Sequence, residues 1–194
     1  MPTHAPPAPA AALRSVLAAL RSPTAAIRGV RSRATAYGGL QPELPLPVHV
    51  LTGITGAGGP PSTKLTGWRF LLRGRDASVG TAEAMLTADG WAFSHFGEGP
   101  YVRSTETALR HADALPGPYQ PRLLSVPELY MLTLWLHSDT AADPAGGTLL
   151  PTDLLMPLAP APPGIAAHVP HRVAALLPLL AHRLVPPPLL QAPA

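Results

Sequence analysis

Tyr130-Met131-Leu132-Thr133-Leu134-Trp135-Leu136-His137 is the stretch that decides the fold. It is apolar at odd and even positions alike, and only Thr133 and His137 break the run. Successive side chains of a strand point to opposite faces, so a strand apolar on both faces must be covered on both sides. The stretch therefore reads as the central strand of a sheet, with a layer packed on each face.

Further strands lie upstream. Val48, Val50 and Thr52 alternate with His49 and Leu51. Residues 66–73 put Trp68, Phe70 and Leu72 on one face. Residues 82–87 and 91–96 flank Asp89-Gly90, a hairpin signal between apolar runs. A rival reading is a short helix over residues 81–89, capped by Thr81, ended by Gly90 and favoured locally by Ala-Glu-Ala-Met-Leu. The alternation of Trp91-Ala92-Phe93-Ser94-His95 needs a partner strand, and this decides for the hairpin.

Ser104 marks a helix cap, with Glu106 near the positive end. The helix runs to about residue 114, buries Ala108, Leu109, Ala112 and Leu115, and stops at Pro116-Gly117-Pro118. The expected class is α+β. A small, mostly antiparallel sheet of about five strands, within residues 46–137, packs against this one helix.

Three segments follow from composition. Residues 43–150 form the α+β core. Residues 1–42 hold Arg14, Arg21, Arg28, Arg31 and Arg33 and no acid, so they carry +5 of a net charge of +3. Leu13, Val16, Leu17 and Leu20 fall on one helical face there, Ser22-Pro23 reads as a second helix start with Ile27 and Val30 inward, and residues 1–9 read as free, polyproline-like chain. Residues 151–194 contain eleven prolines and one helical piece, over residues 169–184, with Val173, Leu176, Leu177 and Leu180 inward and a kink expected at Pro178. No transmembrane helix fits the proline-broken segment at residues 154–171, and the N-terminus lacks the h-region of a secretory signal. A cytoplasmic location is the expectation.

Composition also excludes chemistry. With no cysteine there is no disulfide, thiol nucleophile or thiolate metal site. The chain has one lysine, Lys64, against thirteen arginines, three isoleucines and no asparagine. This bias points to a GC-rich, bacterial genome, which discounts the prolines and arginines as functional signals. The loop ending Ser62-Thr63-Lys64-Leu65 fails the phosphate-loop pattern, which needs glycine before the lysine and Ser or Thr after it.

Two functional readings survive. The first is a non-catalytic interaction module that uses no cofactor and docks, most naturally on a protein, through its terminal segments. The five arginines are its contact residues, and an anionic membrane or a nucleic acid is an alternative target. The bland counterpart is a solvated helix face. The second is a small enzyme with an acid–base site from His95, Glu98, His137 and Asp139, which sit at strand ends. Convergence of His95 and His137 on a carboxylate would favour the enzyme. His168 and His171 are spaced for a metal, but Pro170 separates them and no acid follows Asp153, so no metal site is assigned.

Overall fold

The computed structural model describes residues 3–22, 39–54, 61–74 and 77–184. The elements are α1 (Ala10–Arg21), β1 (Gln41–Thr52), β2 (Ser62–Arg73), β3 (Ser78–Thr87), β4 (Gly90–Gly97), α2 (Pro100–Asp113), β5 (Gln120–Val126), β6 (Met131–His137), β7 (Leu154–Pro157), β8 (His171–Arg172) and α3 (Val173–Leu184). A 3-10 turn, Pro127–Leu129, joins β5 to β6. The class is α+β, as expected, but the described residues form one eight-stranded sheet and three α-helices, not about five strands and one helix.

The strand order is β4-β3-β2-β1-β5-β6-β7-β8. β1 to β4 form one antiparallel meander, and β5 to β8 form another. They meet at a parallel seam, where Val48, His49 and Val50 align with Leu123, Leu124 and Ser125. A parallel pair needs a crossover, and α2 supplies it.

β6 is buried at every residue, as a central strand must be. Leu132, Leu134 and Leu136 face α2 and pack with Leu123, Val48, Leu71, Ala108, Leu109 and Ala112. Met131 and Trp135 face the other way, toward Val173, Leu176 and Leu180 of α3. On that second face, α1 covers the far half of the sheet, with Ala12 and Val16 on Trp68, Phe70, Leu72, Ala82 and Ala84. The chain before α1 is extended but docked. Thr3 N–H donates to Asp113 and His4 N–H to the Tyr119 carbonyl, so residues 3–9 are not the free tail that was expected.

The missed strands have local reasons. Pro121 and a buried Arg122 disguise β5. Pro121 is tolerated because the seam with β1 begins only at Leu123. β7 and β8 are short and lie in a proline-rich stretch, yet they extend the sheet past β6. The hairpin reading of residues 82–96 holds: Thr87 pairs with Gly90, whose φ of 109° suits glycine. α2 starts at Pro100, four residues before the expected cap, because proline is pre-organised for the first helical turn. α3 carries Pro178 inside its span and begins at Val173, since residues 171–172 are strand. The second helical piece expected after Ser22 lies outside the described residues.

Candidate functional site

On the face shared by α1 and α3, the loop of residues 138–153 crosses the centre of the sheet. Beneath it lies a cluster of polar side chains contributed by β1, β5 and β6. His49, Arg122 and Asp153 are each no more than 1% exposed, and His137 is buried beside them. Asp153 Oδ2 accepts from Trp135 Nε1 at 2.7 Å, His137 Nδ1 at 2.9 Å and the Leu150 N–H at 3.0 Å. Asp153 Oδ1 accepts from the N–H and the hydroxyl of Ser138, both at 2.9 Å.

Arg122 sits over the Trp135 ring, 4.7 Å from its centroid. Its guanidinium donates to the side-chain oxygen of Gln120 and to the carbonyls of Gly146 and Asp143. Gln120 in turn donates to the carbonyls of Thr140 and Ala142. His49 Nε2–H donates to the Pro144 carbonyl at 3.0 Å, and the Thr63 hydroxyl donates to the Gly147 carbonyl at 2.7 Å. Strand side chains thus donate to carbonyls of the loop and to the Asp153 carboxylate, to which Ser138 and Leu150 of the loop also donate. A long loop over a sheet needs such partners, since buried carbonyls left unpaired are costly.

The electrostatics fit this holding role. Burial lowers the His49 pKa to about 4, helped by the nearby positive charge of Arg122, so the ring is neutral near pH 7. Burial pushes the Asp153 carboxyl up, but the hydrogen bonds from Leu150, Ser138, His137 and Trp135 outweigh it and leave the pKa below the usual range. Burial also lowers the Arg122 pKa, opposed by Asp153, Asp143 and Asp139.

A second group lies in an open cleft of about 1240 Å³ beside the start of α2. The Ser104 hydroxyl and His168 Nε2 share a hydrogen bond at 2.7 Å, and the hydroxyl accepts the Ala159 N–H at 2.7 Å. His168 packs edge-on against His111, with ring centroids 5.9 Å apart. Arg103, Glu106 and Arg110 line the same cleft. The bonds of Ser104 tie α2 to the loop after β7.

The residues singled out from sequence do not converge. His95 lies on β4 and His137 on β6, with β3, β2, β1 and β5 between them. Five strand spacings put them on the order of 24 Å apart. His95 is 3.9 Å from Glu83, its neighbour on β3. Glu98 lines the cleft by α2, and Asp139 accepts the Ala141 N–H in a local turn. Only His137 meets a carboxylate closely, and that partner is Asp153, which sequence reasoning had not grouped with it. Arg14 and Arg21 are exposed on α1, while Arg28, Arg31 and Arg33 lie outside the described residues. His168 and His171 part company: His168 bonds Ser104, and His171 pairs with Leu155 in the sheet. Among the described residues no three His or acidic side chains are placed to hold a metal ion, and no helix is long and apolar enough to cross a membrane. The polar centre left two traces in sequence, a histidine and an arginine inside strand patterns.

No family model matches the chain, and no curated protein or solved structure matches it either.

Proposed function

We propose that the chain is a non-catalytic interaction module that docks an acidic protein surface through the outward face of α1. The observation that supports this most is how α1 is seated. Its apolar stripe lies on the sheet, which leaves Arg14 and Arg21 exposed, with no acidic partner among the described residues. These two lie in a stretch of 42 residues with five arginines and no acid. The helix is a rigid platform, so its charges keep a fixed spacing toward a partner. This replaces the image of a free tail, because the contact face belongs to a packed element.

The most polar constellation supports the same reading from the other side. The His137–Asp153 pair has its hydrogen bonds committed to holding a loop and sits beneath that loop. Contacts between exposed charges are screened by salt, with a Debye length of about 10 Å at 0.1 M falling to about 3 Å at 1 M. The test is capture of partners from the native host on the immobilised chain, followed by a salt step. A specific acidic protein retained at 0.1 M and released at 1 M supports the reading. Retention insensitive to salt contradicts it.

One observation favours a second reading, a serine hydrolase. Ser104 and His168 are within hydrogen-bond distance in the wall of the open cleft beside α2. Labelling of Ser104 by a fluorophosphonate, lost in His168→Ala, would support that reading. An unlabelled folded protein would dismiss it.

A further inference from the structure

β4 is an end strand, and among the described residues no strand pairs with its outer side. The opposite end, β8, has two residues and offers little to pair with. Proteins commonly guard a long edge with charge or proline. Residues 90–97, Gly-Trp-Ala-Phe-Ser-His-Phe-Gly, contain no Lys, Arg, Asp, Glu or Pro. A register shift after Phe93 leaves residues 90–93 as the regular part of this edge.

The hairpin determines which backbone groups face outward. Thr87 pairs with Gly90 across a two-residue loop. A pair closing such a loop exchanges both hydrogen bonds, and hydrogen-bonded and open pairs alternate from there. Leu86–Trp91 and Ala84–Phe93 are therefore open pairs, with the N–H and C=O of Trp91 and Phe93 turned away from β3. The side chains of Trp91 and Phe93 pack on the α1 side. Ala92 takes the other side, beside Met85, which is 45% exposed. Leu86, next to Trp91, is 50% exposed.

We propose that this edge pairs with β4 of a second copy, antiparallel about a two-fold axis at Ala92, which joins the two eight-stranded sheets. The occupant follows from self-complementarity. In this register Trp91 lies opposite Phe93 of the second copy, and both turn their free backbone groups toward each other. Ala92 opposes Ala92 in an open pair, where side chains approach most closely and a small residue fits. On one face Met85 and Ala92 meet their counterparts in a continuous apolar stripe. On the other face Leu86, Trp91 and Phe93 do the same. No like charges face each other, which would be destabilising directly across a strand pair. The surface is separate from the arginine face of α1, so its failure leaves the docking proposal standing.

The chain has no cysteine, so Ala92→Cys introduces a single thiol. Cβ atoms directly opposite in an antiparallel pair lie about 4.5–5.5 Å apart, near enough for a disulfide after a small adjustment. Sedimentation of the full-length protein should give twice the 20.2 kDa chain mass. Mild oxidation should convert Ala92→Cys to a covalent dimer. Ser94→Cys, whose partner across the axis is Gly90 and not itself, should stay uncrosslinked. Ala92→Lys sets two ammonium groups face to face and should sediment as a folded monomer whose melting temperature no longer depends on protein concentration. If that variant fails to fold, the cysteine pair decides the matter. A wild-type monomer at tens of micromolar overturns the proposal, as does a dimer that survives Ala92→Lys. So does a monomer whose Trp91 and Phe93 amides resist exchange, because another part of the chain then covers the edge.

Discussion

Replacing Asp153 with asparagine removes one charge and almost no volume, and it tests whether the buried cluster holds the fold together. The carboxylate accepts five hydrogen bonds, three on Oδ2 and two on Oδ1. An amide has one acceptor end. Whichever way it turns, its NH2 faces at least two donors that lose their acceptor, and Arg122 loses the negative charge that most offsets its burial. Hydrogen bonds to charged groups are worth about 1.5–3 kcal/mol each, and breaking a buried charge arrangement on one side costs about 3–5 kcal/mol. The expected loss is therefore about 3–5 kcal/mol, since the individual bonds are not additive. Urea unfolding at pH 7 measures it, with the midpoint falling at constant slope. Amide exchange should rise first in residues 138–153, where the cluster's acceptors reside. A variant within about 1 kcal/mol of wild type, with the loop still protected, would refute the reasoning and reopen the cluster as a functional site.

Further outcomes follow from the same structure. His49 titrates at about 4 when folded and near 6.5 when unfolded. The unfolded state binds the extra proton, so stability is full above pH 6.5 and declines as pH falls toward 4. The loss is about 3 kcal/mol at most at 1.36 kcal/mol per unit, and His49→Gln should flatten that limb in a stability–pH profile. Trp135→Ala should cost about 3–5 kcal/mol by thermal or chemical denaturation, because it empties a fully buried site between α3 and the polar cluster. Val16→Asp places a charge under α1 against Trp68 and Phe70 and should lower the melting temperature by several degrees, whereas Ala18→Asp on the exposed side should not.

The architecture was legible where pattern and packing agree. Residues 131–137 announced a doubly covered strand because nearly every position on both faces is apolar, whereas Tyr130, read as part of it, is exposed in the left-handed turn before it. The hairpin was legible because a turn signal separates two alternating apolar runs, although the loop residues are Ala88 and Asp89 and Gly90 already pairs with Thr87. β5 was not legible, since a buried arginine reads as exposure until its partners are known, and two of those partners are carbonyls 21 and 24 residues away. Carbonyls belong to every residue and leave no mark in sequence. The cluster around Asp153 was missed too, although His137, one of its members, had been singled out. Its closest neighbours come from positions 15 to 18 residues distant. The seating of α1 was half legible. The stripe of Leu13, Val16 and Leu20 predicted a buried face, but nothing local said that the sheet of this same chain would cover it.

The most direct measurement is partner retention and melting temperature together, in a chain carrying Arg14→Glu and Arg21→Glu. Both side chains are exposed, so reversal should leave the melting temperature within about 2 °C of wild type, in keeping with the small stability effects of surface substitutions. Retention of the salt-sensitive partner should fall at least tenfold, because two attractions become two repulsions on a rigid helix. Undiminished retention at an unchanged melting temperature would contradict docking through α1 and return these arginines to the status of a solvated helix face.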